Sequence, residues 1–137
     1  MSSRSRAWPP NAREGVYTIH RWKTAALIRT CVRAGAILAG ASPQQLQDLT
    51  RYGEHLGLAF QIIDDVLDTT ADSATLGKTA GKDAKAGKLT YPSVIGVDRS
   101  RRMALALKEE AFSQLNLDRE RGAELASLID ACVTRER

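Results

Sequence analysis

Leu46, Leu49, Gly53, Leu56, Phe60, Ile63 and Leu67 recur three and four residues apart, a spacing that an α-helix gathers into one stripe and a strand scatters over both faces. Ser42 stands ahead of this run as an N-cap, with Pro43 at the first helical position and Gln45 three residues past the cap. Together they form a capping-box start. The spacing predicts a helix from 43 to about 68, ending at Thr69-Thr70. Upstream, residues 17–38 contain no proline and place Trp22, Ala25, Ala26, Ile28, Val32 and Ile37 at apolar positions. This predicts an amphipathic helix ending near Gly40, packed closely where Ala34, Gly35, Ala36, Ala39 and Gly40 leave little bulk between backbones.

Downstream, residues 70–91 show neither alternation nor a helical stripe and are expected to form a long loop. Past Pro92 and the apolar stretch 93–97, Asp98 is expected to cap a helix through about Leu115, and Asp118 a last helix carrying Leu125, Leu128, Ile129 and Val133. No segment reads as a strand. The fold class is therefore all-α, a partial bundle of about four or five helices. The 137 residues suffice for one domain. Residues 1–14, basic and holding Trp8-Pro9-Pro10, are expected to be a disordered lead-in to a folded part at 15–137. No apolar run approaches the roughly 20 residues of a membrane span, and none follows the basic start as in a secretory signal.

The main chemical signal lies inside the predicted helix 43–68. At about 100° per residue, Gln61, Asp64, Asp65 and Asp68 fall within roughly 100° of arc. Carboxylates three and four residues apart repel, so a cation is expected among them. Oxygen ligands at this spacing suit Mg²⁺, which binds one or two carboxylates and completes its shell with waters and a substrate phosphate. The following segment brings Lys78, Lys82, Lys85 and Lys88 on a backbone interrupted by Gly77, Gly81 and Gly87, and the preceding helix offers Lys23 beside Thr24. Converging, these groups would cradle a diphosphate.

Other chemistries lack their patterns. Cys31 and Cys132 have no CxxC spacing, so a zinc site and a disulfide framework are not suggested; reduced thiols and a cytoplasmic location are expected. His20 and His55 have no partners at metal-binding spacing, and Ser, His and Asp form no triad signature. Gly77-Lys78-Thr79 resembles the end of a P-loop, yet Asp72 occupies the first glycine position and no strand precedes it. Arg99, Arg101 and Arg102 come without a recognition motif, and no nucleic-acid partner is expected, although the net charge of +4 keeps a basic helical nucleic-acid binder as an alternative.

In sequence order, IHRWKTAALI, GLAFQIIDDVLD, LGKTAGKD and GKLTYPSVIG resemble the Lys-Thr segment, second aspartate-rich region and following loop of the trans-isoprenyl diphosphate synthases, the polyprenyl synthetase family. The resemblance covers roughly residues 15–115, and TYP leans toward its farnesyl and geranylgeranyl branch. It implies the isoprenoid synthase fold and a prenyltransferase that joins an allylic diphosphate to isopentenyl diphosphate. Asp64, Asp65 and Asp68, with Asp83, would belong to a third Mg²⁺ site. Lys23, Lys78 and Lys88 would neutralise diphosphate oxygens, and Thr24 and Gln61 would donate hydrogen bonds near the reacting centre. The family's first aspartate-rich motif should lie well upstream of the Lys-Thr segment, and no second acidic cluster occurs here. Residues 15–137 thus resemble the C-terminal part of such a synthase, expected to be inactive alone and to form a homodimer or pair with a complete synthase. A non-catalytic regulatory subunit of a synthase heteromer is the alternative.

Overall fold

The computed structural model describes residues 12–75, 90–118 and 120–137, and all regular structure among them is helical. The five described helices are α1 (Ala12–Leu38), α2 (Pro43–Thr75), α3 (Tyr91–Ile95), α4 (Val97–Gln114) and α5 (Ala123–Thr134). None is long and apolar enough to cross a membrane. The first eleven residues of the expected lead-in lie outside the described residues, but its last three already belong to α1.

The α1–α2 junction forms as its residues predict. Gly40, at φ 75°, ends α1 in the left-handed region, with Gly40 N–H donating to Ile37 O at 3.0 Å and Ala41 N–H to Ala36 O at 3.0 Å. These two bonds satisfy carbonyls that the last helical turn would leave unpaired. Ser42 Oγ then accepts from Gln45 N–H at 3.2 Å while Gln45 Oε1 accepts from Ser42 N–H at 2.9 Å, completing the capping box.

The end of α2 differs from expectation. Thr69 and Thr70 do not stop it: their hydroxyls donate to the carbonyls of Asp65 and Val66 at 2.9 and 3.0 Å, and the helix continues to Thr75. Hydroxyls bonded back to the preceding turn leave the backbone ladder intact, and no glycine or proline interrupts residues 71–75.

The close approach of α1 and α2 also lies elsewhere than expected. Of Ala34, Gly35, Ala36, Ala39 and Gly40 only Ala36 is buried, and a Cβ on Gly35 would meet nothing within 4 Å. The backbones instead meet at glycines of α2. A Cβ on Gly53 would lie 3.2 Å from Arg29 Cα, and one on Gly57 would lie 3.2 Å from Ala25 Cα. The antiparallel register therefore selects these two positions, and Arg29 Nε bonded to Glu54 Oε1 at 3.1 Å and Arg33 Nη1 to Thr50 Oγ1 at 2.6 Å lace the same seam.

α2 is the central element. The predicted stripe is buried at Gly53, Leu56 and Ile63 and half-buried at Leu46, Leu49, Phe60 and Leu67, but Tyr52, Gly57, Ala59, Ile62 and Val66 are buried as well. A helix buried on more than one side is one with neighbours on more than one side. One core cluster joins Tyr52 and Leu56 to Ala111, Leu115, Ile129 and Cys132, and a second joins Ala59, Ile62 and Ile63 to Ala104 and Val133. Tyr52 reaches across to donate its hydroxyl to Leu125 O at 2.7 Å, tying α2 to α5.

Two expected caps are corrected. Gly96, at φ 87°, precedes α4 and sits where Asp98 was expected, so Asp98 lies in the first turn; the junction of α3 and α4 takes a positive φ that glycine readily adopts. Asp118 accepts Arg121 N–H on Oδ1 at 2.8 Å, and so caps the turn before α5, which starts only at Ala123. α3 itself begins at an unanticipated capping box between Thr90 and Ser93. α1 leaves Trp22, Leu27, Ile37 and Leu38 exposed.

Candidate functional site

The acidic segment sits on α2 where α3 and the end of α5 come against it. On a helix of about 100° per residue the side chains fan out in the order Asp64, Asp68, Gln61, Asp65 across the arc. The two edge residues meet different neighbours. Asp65 is 1% exposed and its Oδ2 accepts the Tyr91 N–H at 3.3 Å, pinning the start of α3 to α2. Asp64, at the opposite edge, has a half-exposed side chain whose Oδ1 lies 3.6 Å from Arg135 Nη2. Asp68 is exposed. Of the three carboxylates only Asp65 is buried, because the edge of the arc on which it lies meets the start of α3.

Gln61, buried between these edges, opens into a groove of about 290 Å³ lined also by Trp22, Ala25, Ala26, Arg29, Glu54, Leu58 and Tyr91. The register set at Gly57 and Ala25 carries α1 past Gln61 at this level. Lys23, exposed, and Thr24, half-buried, thereby stand on α1 between Trp22 and Ala25, both groove residues. Gln61 lines the groove itself, whereas Lys23 and Thr24 are not among its lining residues. Lys78, Asp83 and Lys88 lie outside the described residues.

Among the described residues no three His, Cys, Asp or Glu side chains converge closely enough to hold a metal by themselves. The residues present nevertheless fit Mg²⁺ in its usual manner. Asp64 and Asp68 offer hard oxygens one helical turn apart with solvent access, and such an ion takes its remaining ligands from water and phosphate. They do not fit a closed protein cage.

Reasoning from residues alone missed Arg135. Its guanidinium carbon lies 4.3 Å from the centroid of the Phe60 ring, and its Nη2 donates to Phe60 O at 3.4 Å besides facing Asp64. Seventy-one positions separate Arg135 from Asp64, and only the packing of α5 along α2 joins them. Tyr91, which lines the groove and meets Asp65, was named only within a motif. Trp22, Arg29 and Glu54 carried no local signal for the groove.

Comparison with known proteins agrees with this arrangement of motifs. Residues 10–129 match the family model described as polyprenyl synthetase, a span wider at both ends than the 15–115 over which the motifs resemble that family. The chain is 51% identical over 117 residues to a dimethylallyltranstransferase of Fischerella ambigua, 85% of this chain and 34% of that protein. It is 47% identical over 120 residues to a chloroplastic geranylfarnesyl diphosphate synthase of Leucosceptrum canum, covering 87% and 33%. It is likewise 47% identical over 111 residues to the chloroplastic geranylgeranyl pyrophosphate synthase 11 of Arabidopsis thaliana, covering 80% and 31%. The chain spans about a third of the length of these curated relatives.

Proposed function

Because the chain belongs to the polyprenyl synthetase family, we propose that it provides the second aspartate-rich part of a Mg²⁺-dependent prenyltransferase, in which an allylic diphosphate is bound for elongation with isopentenyl diphosphate. Support for this reading comes from half-exposed Asp64 and exposed Asp68, one turn apart on α2, and from buried Gln61, which lines a groove that Trp22 and Ala25 of α1 share. Mg²⁺, when bound there, supplies Lewis-acid stabilisation of a departing diphosphate. Asp64 and Asp68 hold the cation, and Asp65 acts by fixing Tyr91 and the chain leading to it. Lys23 offsets charge on diphosphate oxygens, and Thr24 and Gln61 orient the reacting group by hydrogen bonds. On the resemblance alone, Asp83 joins the metal site and Lys78 and Lys88 the diphosphate.

Residues 15–137 act in this reading as the C-terminal part of a synthase domain, inactive by themselves and completed by a homodimer or a complete synthase. A product of the farnesyl or geranylgeranyl class follows from the TYP motif. The two cysteines, far apart and unpaired, favour a reducing cytoplasm, although two of the named relatives are chloroplastic. The uncovered apolar residues of α1 favour a second reading, a non-catalytic subunit that pairs with a complete synthase and tunes it.

Calorimetry with Mg²⁺ and inorganic diphosphate tests the site. Asp64→Ala is expected to weaken Mg²⁺-dependent diphosphate uptake about tenfold, a loss of about 1.4 kcal/mol for one charged ligand. Asp118→Ala, whose carboxylate serves a distant turn, is expected to leave it unchanged. Equal effects of the two, or no uptake by the unaltered chain, would end the proposal. Mixing the chain with a full-length homologue separates the second reading: altered rate or product length favours it.

A further inference from the structure

We infer that Arg135, the C-cap of α5, is a positioning residue for Asp64: a resident counter-ion that stays beside one carboxylate oxygen in the absence of a divalent cation and yields it when the cation arrives. The inference rests on the reading of Asp64 as a metal ligand and adds the residue that sets its readiness. Arg135 Nη2 lies 3.6 Å from Asp64 Oδ1 and 3.4 Å from the Phe60 carbonyl, both longer than a charge-assisted hydrogen bond. Its Nε is buried and has no hydrogen-bond partner among the described residues. An arginine recruited for stability ordinarily grips a carboxylate with two parallel bonds of about 2.8 Å. This one is held mainly by its stack on the Phe60 ring, which keeps the cation beside Asp64 without locking the carboxylate.

The placement answers a problem in the sequence. Asp64 and Asp68 repel one turn apart, and a fixed positive charge at the edge of the stripe relieves that repulsion while the Asp64 side chain stays half-exposed. The same charge opposes an incoming Mg²⁺. Arg135 therefore makes the stripe weaker for the bare ion and leaves strong binding to the ion accompanied by a diphosphate, whose negative oxygens also attract the guanidinium.

Titration of Mg²⁺ alone, and of Mg²⁺ with inorganic diphosphate, into the full chain tests this. Arg135→Gln is expected to tighten binding of Mg²⁺ alone about two- to fivefold, the range of a half-exposed ion pair, and to narrow the gain that diphosphate brings. Arg135→Lys, which keeps the charge, is expected to return both values to those of the unaltered chain. A purely structural arginine would lower the melting temperature on substitution and leave the affinity for bare Mg²⁺ unchanged or weaker; that result overturns the inference. Should Arg135→Gln fail to fold, the Arg135 Nε–H resonance of the unaltered chain decides: it is expected to shift in step with the Mg²⁺ isotherm, and a stationary resonance overturns the inference. Absence of any Mg²⁺ uptake by the unaltered chain overturns the metal-site reading as well, whereas uptake that ignores position 135 overturns the role of Arg135 alone.

Discussion

Gly57→Leu is expected to lower the unfolding free energy by about 3 kcal/mol, measured by denaturant titration, because the new side chain has nowhere to go. A Cβ there would stand 3.2 Å from Ala25 Cα and 3.3 Å from Ala25 O. These are backbone atoms of a packed helix and cannot swing aside as a flexible side-chain end would. Leucine has the higher helix propensity by nearly 1 kcal/mol, so the net loss measures the cost of parting α1 from α2 after that gain. Gly35→Ala provides the control: nothing lies within 4 Å of its Cβ position, and the propensity gain of about 0.5–1 kcal/mol is expected to appear undiminished. Parting the helices also opens the groove that Gln61 shares with Trp22 and Ala25, so Gly57→Leu is expected to weaken diphosphate uptake although it touches no proposed ligand. Equal stability of Gly57→Leu and the unaltered chain would show that the α1–α2 seam is not closed at this glycine.

Alkaline pH is expected to remove about 2–3 kcal/mol of stability between pH 10 and 12, and Tyr52→Phe to abolish that part of the loss. Burial pushes the Tyr52 hydroxyl up to about 12 from 10.0, with the nearby Cys132 thiolate adding to the rise. Below pH 10 the phenol is protonated in both folded and unfolded chains, and the stabilisation of its neutral form is fully present. Between 10 and 12 the unfolded chain ionises while the folded chain stays neutral, so unfolding releases a proton and rising pH drives it. Two pH units correspond to roughly 3 kcal/mol. Burial raises the Cys132 thiol above 9.0 too, against a smaller lowering by Arg135, so its contribution has the same sign and begins earlier. Chemical unfolding followed from pH 8 to 12 checks both. At neutral pH, Tyr52→Phe is expected to cost about 1 kcal/mol, because Leu125 O loses the phenolic donor. A Tyr52→Phe chain with the same alkaline slope as the unaltered one would refute the assignment.

Much of the chain was legible before folding was considered, wherever a signal is local. The capping box at Ser42 and Gln45, the end of α1 at Gly40 and the apolar stripe of α2 depend on residues within a turn or two of each other, and all three form as expected. Short-range signals failed where two local rules competed. Thr69-Thr70 resembled a stop, but their hydroxyls bond to the preceding turn and the helix continues. Asp98 resembled a cap, but the glycine two residues earlier already holds the N-cap position.

The candidate site divides along the same line. That Gln61, Asp64, Asp65 and Asp68 share about 100° of one helix follows from helical geometry alone, and their kinship to a polyprenyl synthetase follows from motif order. Amino-acid order by itself determined helix type, the α1–α2 junction and the apolar stripe of α2, because these depend on neighbours along the chain. Tertiary packing alone decided that Asp65 turns inward to Tyr91 while Asp64 faces Arg135, and that α1 and α2 touch at Gly53 and Gly57. Burial and pairing are settled by which surface is pressed against which, and that depends on contacts between residues dozens of positions apart.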